Sequence, residues 1–380
     1  MKDFKELFTD GLCIRCTGRI FANIDTGLTD YERGTKLEFA YKAFYGPVNV
    51  PDTCRICRGI FNDFEKYSSM VKDAIGTREY STILIGSKFE PEIMLEEELI
   101  QNKFGNNGES IKKEFNREFG KYFTKITGKE FSKDSDILIE INTIYDNVEL
   151  IVKPLYIYGT YIKKRRDMPQ TRWLNGTGDT LESIIGEILL KLAGGKNYKF
   201  HGSGREDVDV MMLGNGREFV MEINEPAIRN ISLKEFMDEV NNSGNNIYIS
   251  DLEFTDKKTI KQIKEAAYDK TYLATIECID PFNEKKLQES ASKFENYTIS
   301  QRTPERVSGN RSDLVRKKEI KYINIEDIHD KEARIKIRAQ SGTYIKELIN
   351  GDNGRTVPNL SSVYGAQLKV KCLDVLKIER

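Results

Sequence analysis

The sequence lacks any apolar run long enough to cross a membrane, and its first residues, MKDFKELFTDGLC, lack the apolar segment of a secretory signal. With 28 Gly, 9 Pro, no short period and no repeat of solenoid length, it is neither collagen-like, low-complexity nor a repeat protein. These absences predict a cytoplasmic protein whose thiols stay reduced. The sequence does contain 19 Phe and 18 Tyr, and these large side chains supply enough apolar surface to bury that the chain as a whole is not disordered.

The sequence also has no large excess of either charge, because 59 Lys and Arg nearly balance 60 Asp and Glu and leave a net charge of -1. The overall charge therefore gives no support for nucleic-acid binding. Two local runs of cations, Lys163–Arg166 and Arg302–Lys318, do interrupt the balance. Each run is typical either of a solvated face or of a surface that follows RNA phosphates.

Four of the six cysteines form two Cys-x2-Cys pairs, CIRC and CRIC, separated by the segment 17–53. Each pair places two soft thiolates on one side of a tight turn, and two such turns complete a tetrahedral site that suits Zn²⁺. The segment between them exceeds the usual spacing of about 15–20 residues, which a small insert would explain. Disulfides or redox thiols are the alternative, which a reducing compartment disfavours. The predicted ligands of this structural zinc are Cys13, Cys16, Cys54 and Cys57.

The order of predicted elements favours an α+β fold with a mixed, largely antiparallel sheet flanked by helices, because strands and helices do not alternate strictly. The hydrophobic periodicity predicts helices near 92–104, 110–123 and 181–193, and strands near 81–86, 136–141 and 148–153. Asn215-Gly216, between the β-runs DVDVMML and EFVMEI, predicts a hairpin. Capping signals at Thr180 and Ser232 predict the starts of two helices.

A Gly-rich loop, FHGSGREDVDV, leads into the first of these β-runs and carries Arg205, Glu206 and Asp207. A carboxylate beside an Arg at a strand entrance is held ionised, which makes Asp207 a candidate nucleophile or base. A salt-bridged loop Asp with no chemical role is the other interpretation. Asp209, two residues further on, is the second candidate for the nucleophile.

The surrounding blocks carry a resemblance to a known family. GREDVDV resembles the GR-x-D signature around the nucleophilic Asp of pseudouridine synthases. Together with four further blocks in order, it looks like the archaeal tRNA pseudouridine synthase of the Pus-ten family, over nearly the full chain. The other blocks are IYGTYIKKRRDMPQTRW (157–173), ISQRTPERV (299–307), RSDLVRKK (311–318) and SGTYIKELINGDNGRTVPNL (341–360).

The resemblance implies the domain plan: a zinc-binding region with four cysteine ligands over 1–75, a THUMP-like RNA-binding domain over 76–172, and a pseudouridine synthase catalytic domain over 173–380. It implies isomerisation of uridine-54 and uridine-55 in the T-loop of tRNA, with the T-loop and elbow as the contacted regions. It implies no organic cofactor, and the lack of a long apolar run predicts no membrane partner.

The resemblance also implies roles for single residues. Asp207 matches the nucleophile, and Tyr272, in KTYLA, matches the aromatic that stacks on the target base. Tyr344 and Lys346, in GTYIKEL, match a second substrate-contacting position and the basic partner of the Asp. Arg205, in the GR-x-D signature, is placed with the substrate-binding residues. Attack at the sugar C1′ and attack at the base C6 both stay open.

Two other functions compete with this interpretation. The first is a non-catalytic zinc and THUMP adaptor that binds tRNA, against which the intact Asp207, Tyr272 and Tyr344 argue. The second is a different THUMP enzyme, such as a methyltransferase. That class needs a Gly-rich turn that opens a helix, whereas the loop around Arg205 leads into a strand.

Overall fold

The protein divides into two compact units, which meet in the chain between Lys153 and Pro154. The computed structural model describes residues 4–24, 26–105, 107–172, 178–309 and 312–380. None of the helices in these ranges has both the length and the apolar character that a bilayer crossing requires.

The first unit combines a small mixed sheet with helices. Its described helices are α1 (Ile14–Arg19), α2 (Asp30–Tyr45), α3 (Phe64–Ile75), α4 (Pro91–Lys103) and α5 (Ile111–Thr127). Its strands are β1 (Thr82–Lys88), β2 (Glu130–Phe131), β3 (Ile137–Asn142) and β4 (Asn147–Val152). They pair in the order β2-β1-β3-β4, with β1 parallel to both neighbours and β3 antiparallel to β4.

Helix α5 shows why this unit folds as it does. Ser110 caps its N-terminus by accepting from the Lys113 N–H, and Gly128 ends it in the left-handed conformation. Aromatic residues four apart share one face of a helix, so Phe115, Phe119 and Phe123 form a stripe. All three are fully buried, and the rings of Phe115 and Phe119 stack with centroids 5.8 Å apart.

The second unit is built on one large sheet. Its described helices are α6 (Leu181–Ala193), α7 (Leu233–Asn241), α8 (Lys257–Glu265), α9 (Glu284–Ser292), α10 (Ile345–Asn350) and α11 (Leu360–Tyr364). The strands are β5 (Leu155–Lys163), β6 (Asn197–Gly202), β7 (Met211–Asn224), β8 (Ile247–Thr255), β9 (Lys270–Cys278), β10 (Tyr297–Arg302), β11 (Val315–His329), β12 (Glu332–Ala339), β13 (Thr356–Val357) and β14 (Leu368–Ile378).

In the described ranges these strands form a ten-stranded sheet in the order β13-β10-β11-β12-β9-β14-β7-β5-β8, with β6 also paired to β7. Its pairs are antiparallel except for β14 with β7. The α+β fold with a mixed, largely antiparallel sheet is confirmed. The capped start of α6 at Thr180 and its end at Gly194 also follow the sequence pattern.

The segment after Pro154 lies in a different unit from the one that the sequence predicts. The domain plan assigns 155–172 to the RNA-binding domain, but β5 pairs with β7 and β8 in the large sheet. Nearly every residue of β5 is buried, a pattern typical of a strand inside a sheet that is covered on both faces. The Gly-rich segment NGTGD (175–179), which follows the predicted boundary at 172/173, lies largely outside the described residues.

The predicted hairpin at Asn215-Gly216 is wrong. The end of the first β-run, from Met211, and the second β-run belong to the single strand β7, because both pair antiparallel with β5 in the same direction. Between the pairs Lys163↔Met212 and Tyr161↔Arg217 the chain makes a bulge, whose Asn215 side chain bonds with the backbone of Ile378 in β14. Gly214 and Gly216, at φ 63° and 69°, supply the left-handed conformations for that bulge rather than for a reversal.

The aromatic stripe of α5 gives a stability prediction. Phe119→Ala should lower the free energy of unfolding of the first unit by about 3–5 kcal/mol, because it removes a fully buried ring and leaves a cavity. Phe131→Ala is the matched control, since that ring is 60% exposed and should change stability by less than about 0.5 kcal/mol. Denaturant unfolding followed by circular dichroism measures both. Equal effects would show that the stripe is not the core of this unit.

Candidate active site and metal site

The loop that carries Asp207 is fixed by its neighbour Glu206. The Glu206 carboxylate is buried and accepts from the Tyr161 hydroxyl at 2.8 Å. It also forms an ion pair at 3.0 Å with the buried Arg217 guanidinium, which donates to the Ser203 carbonyl. Gln170 donates to both the Tyr161 hydroxyl and the Gly204 carbonyl. Strands β5 and β7 thus hold both ends of the loop.

Burial and charge shift the pKa values of the groups around Glu206. Burial raises the pKa of the Tyr161 hydroxyl far above its ordinary value, and the Glu206 charge adds to that shift. Burial also lowers the pKa of Lys163, although the Glu206 charge opposes it. The Lys163 ammonium lies 3.9 Å from Glu206 and donates to the Met168 carbonyl. A buried carboxylate is therefore compensated on several sides.

Asp207 itself is partly exposed and contacts two cations. The Arg306 guanidinium donates to its Oδ1 at 3.1 Å, and the Lys346 ammonium lies 3.4 Å from its Oδ2. Asp207 therefore forms ion pairs with two cations. The structure thus brings Lys346, from helix α10, next to the carboxylate with which the motif comparison pairs it.

Lys346 is shared between two carboxylates. Its ammonium donates to Asp209 at 2.9 Å, which is closer than its approach to Asp207. Burial raises the pKa of Asp209, but the hydrogen bond and charge of Lys346 outweigh it and leave that pKa below its ordinary value. Asp207 and Asp209 both lie before β7 begins, in the loop rather than on one face of a strand. Asp209 therefore helps to position Lys346.

Arg306 and Glu347 are the functional candidates that the sequence does not reveal. Arg306 lies in a short 3-10 helix, Glu305–Val307, and its Nε donates at 2.6 Å to the buried Glu347 carboxylate. Burial lowers the pKa of Arg306, but Glu347 and Asp207 outweigh it and hold that pKa above its ordinary value. The only sequence signal is the position of both residues inside recognised motif blocks, because their contacts join segments far apart in the chain.

The other predicted site residues are Tyr272, Tyr344 and Arg205. Tyr272 is buried in β9, where burial raises its pKa to about 12, and the Arg217 charge opposes that shift. Tyr344 precedes α10, and its backbone N–H and carbonyl bond with the side-chain amide of Gln301. The Arg205 side chain is exposed.

The cation run Lys163–Arg166 is not one RNA-facing surface. Lys163 is fully buried, and Arg166 donates to the Asp374 carboxylate at 2.6 Å and to the Asp209 carbonyl. These two residues stabilise the second unit. Lys164 is exposed and lies over the Tyr248 ring, and Arg165 is half-buried, so only these two remain candidates for phosphate contact.

The two Cys-x2-Cys pairs meet in the first unit. The sulfur atoms of all four cysteines lie within 4.8 Å of one another, and Cys13 Sγ is 3.6 Å from Cys57 Sγ. Tetrahedral bonds of about 2.3 Å to a metal place sulfur atoms about 3.8 Å apart, so the four thiols fit a metal ion. Three of the four are buried and none is in a disulfide. This closed set of ligands suits a structural ion.

Buried ion pairs join this cysteine cluster to the rest of its unit. Arg19, at the end of α1, binds Glu97 of α4 at 2.8 Å and Glu114 of α5 at 2.9 Å. All three side chains are almost completely buried. Because Cys16 lies in the same short helix as Arg19, a change at the metal site would disturb these pairs.

Comparisons with known proteins identify both units. The family model "Pus10, C-terminal" matches residues 156–379, and "Pus10 THUMP domain, archaeal" matches residues 67–142. A solved Cbf5–Nop10–Gar1 complex is matched at 16% identity over 58% of this chain and 48% of that chain, with a TM-score of 0.35.

Curated relatives extend the match to nearly the whole chain. A "tRNA pseudouridine synthase Pus10" from Picrophilus torridus is 55% identical over 100% of this chain and 99% of its own. The protein of that name from Thermoplasma acidophilum is 47% identical, with the same coverage. The one from Pyrococcus furiosus is 37% identical over 97% of this chain and 94% of its own.

The two model matches and the curated relatives define the class, a pseudouridine synthase with a THUMP domain. Within that class, the chain belongs to the Pus10 family. The resemblance drawn from the motif blocks is thereby confirmed.

The Glu206 network gives a second prediction. Arg217→Met should lower the free energy of unfolding of the second unit by about 3–5 kcal/mol, because it leaves the Glu206 charge buried without its closest cation. Arg205→Met, at the exposed neighbour, should change that free energy by less than about 0.5 kcal/mol. Thermal or denaturant unfolding compares the two. Similar effects would mean that the Arg217 pair does not fix the loop.

Proposed function

We propose that this protein isomerises uridine to pseudouridine in tRNA, at uridine-54 and uridine-55 of the T-loop, with Asp207 as the nucleophile. The observation that carries the proposal is the Asp207 carboxylate, held between Arg306 and Lys346 on a loop anchored by Glu206. The names of the curated relatives support tRNA as the substrate. The motif blocks support the two T-loop positions and contact with the tRNA elbow.

The reaction conserves the atoms of the nucleoside. The bond between N1 and C1′ breaks, the freed uracil turns, and C5 bonds to C1′ while its proton leaves for solvent and N1 gains one. A carboxylate can serve by attack at C1′ or C6, or by assisting elimination. In each case the carboxylate acts as an anion, and Arg306 and Lys346 are the cations that pair with it.

The uridine must leave its stack to reach a carboxylate on the protein, at a cost of a few kcal/mol. Stacking on an aromatic side chain offsets about 1–3 kcal/mol of that cost. We assign this role to Tyr272, and a second substrate contact to Tyr344. The exposed Arg205 side chain, beside the nucleophile, is assigned to RNA contact. Isomerisation of this kind needs no organic cofactor.

The domain plan that we propose keeps three functional parts. A metal-binding part covers about 1–75, an RNA-binding THUMP part follows it to 153, and the catalytic part begins at 154. We assign zinc to the four cysteines, because four thiolates in a closed tetrahedral set suit this ion. Bound zinc supplies folding free energy to the first unit. Reduced cysteines fit a cytoplasmic location.

Asp207→Asn tests the chemistry separately from binding. The change keeps the size of the side chain but removes the charge, so pseudouridine formation should fall by more than about 10³-fold at both positions. Affinity for tRNA should stay within a few-fold, because phosphate contacts do not need this carboxylate. Product mapping on an unmodified tRNA transcript and filter binding measure the two quantities.

Asp209→Asn is the matched variant for this test. It leaves Asp207 ionised but releases Lys346, so we expect a reduced rate that stays well above that of Asp207→Asn. Normal turnover by Asp207→Asn with loss in Asp209→Asn would move the nucleophile to Asp209. Wild-type binding to tRNA without any product would instead favour the non-catalytic adaptor.

The metal assignment has its own test. Purified protein should contain about one zinc ion per chain, and Cys13→Ser combined with Cys54→Ser should remove it and lower the unfolding temperature of the first unit. Cys372→Ser, at a half-buried cysteine of the other unit, should leave the zinc content unchanged. Metal analysis of the three proteins decides, and zinc retained by the double variant contradicts the assignment.

A further inference from the structure

A second group of cations lies in the catalytic unit, outside the carboxylate site. Lys270 begins β9 and is half-buried, yet its ammonium makes no hydrogen bond or ion pair with any residue that the structure describes. A half-buried ammonium without a carboxylate partner is costly. It therefore points to a ligand that brings a negative charge.

The sheet register places a second lysine beside it. Lys270 pairs with Ala339 of β12, and Ala339 pairs with Ile320 of β11, so these three residues lie in one row across the sheet. Directly opposed residues share a face, and so do residues two apart on a strand. Lys318 is two residues before the buried Ile320 on β11, so it lies on the same face of the sheet as Lys270.

The distances suit one shared anion. Two strand spacings of about 4.8 Å and one advance of about 6.6 Å separate the two lysine Cα atoms by roughly 12 Å. Each lysine side chain is long enough to cover about half of that separation. The Lys318 ammonium already donates to the Ser341 carbonyl at 2.6 Å and keeps donors to spare.

Both lysines border the proposed active site. Ser341 lies in the turn that leads to Tyr344 and then to Lys346, which contacts Asp207. Tyr272 shares its strand face with Lys270 because it is two residues away. An anion held by the two lysines would thus lie beside the proposed stacking residue.

We propose that Lys270 and Lys318 form a subsite for one backbone phosphate of the RNA, next to the flipped uridine. The inference rests on the proposed function, and it adds a contact that orients the nucleotide rather than a group that reacts. A phosphodiester fits because it is a single anion with free oxygens to accept from two ammonium groups. Free phosphate has the same chemistry, and the experiment separates the two.

The electrostatics of the subsite agree with this. Burial lowers the pKa of Lys270 to about 8, the Arg217 and Lys318 charges add to that shift, and Asp269 alone opposes it. Burial and the Arg316 charge also lower the pKa of Lys318. Nearby on the other strands, Arg338 lies 3.7 Å from Asp269, and Glu379 accepts from Thr271 and Lys377. The surroundings of Lys270 are thus electropositive.

The test measures tRNA affinity against salt in the inactive Asp207→Asn background, so that turnover does not interfere. One lost phosphate contact lowers the slope of log affinity against log salt by about 0.7–0.9. We expect that loss in Lys270→Gln and in Lys318→Gln, and no larger loss in the double variant, because both lysines hold one phosphate. Lys285→Gln, at an exposed lysine of α9, removes the same charge and should keep the full slope.

The pH dependence of tRNA affinity distinguishes a charged contact by Lys270 from a purely structural role of that residue. A bound phosphate favours the charged lysine and raises its pKa above the value in the free protein. Affinity should therefore be complete below about pH 8 and fall as the pH rises through that value. Lys270→Arg stays charged throughout, so it should keep the salt slope and lose this pH dependence.

An unchanged slope and affinity in the double variant would overturn the proposal. If inorganic phosphate at constant ionic strength competes with tRNA only when both lysines are present, the anion chemistry is supported. If phosphate stabilises the wild type against heat while the double variant keeps the full tRNA slope, the subsite holds free phosphate and the RNA assignment fails. If the wild type forms pseudouridine but the lysine variants keep the full salt slope, only the subsite is contradicted. If the lysine variants lose the slope but the wild type forms no pseudouridine, only the proposed function is contradicted.

Discussion

The buried carboxylate of Glu206 is the group on which the position of Asp207 depends. It binds the Tyr161 hydroxyl and the Arg217 guanidinium at about hydrogen-bond distance, and Lys163 lies a little further away. Because a buried charge is stable only while its partners stay in place, this set fixes β5 and β7 against the loop. The adjacent Asp207 then projects from a rigid base, as a reacting group must if it is to meet its target atom within a fraction of an ångström.

The charge around Asp207 is supplied by residues that are themselves held by other carboxylates. Arg306 is bound by the buried Glu347, and Lys346 is shared with Asp209. Each cation is thus oriented by a second anion, so its position does not depend on Asp207 alone. The Asp207 side chain stays partly exposed, at 38%, while both of its cation partners are held by other carboxylates.

Much of the fold and part of the candidate site could be predicted from the sequence, and each wrong prediction has a physical cause. The cysteine spacing predicted the cluster, and the periodicity predicted α5 and α6, since these are local signals. The hairpin at Asn215-Gly216 was wrong, because positive φ serves a bulge as well as a turn. The sequence predicted that the run Lys163–Arg166 is exposed, but Lys163 is buried because β5 pairs with strands that are distant in the chain. The Arg306–Glu347 contact joins remote segments and leaves no local pattern.

Release of tritium from tRNA labelled at C5 of uridine directly tests whether the protein isomerises uridine through Asp207, because the new bond to C1′ displaces the C5 hydrogen. We expect the wild-type protein to release the label from positions 54 and 55, while the mass of an unlabelled tRNA stays constant. We expect no release when Asp207 is changed to Asn. Release that persists in this variant would rule out Asp207 as the nucleophile, and a wild type that binds the tRNA and releases no label would rule out the isomerisation.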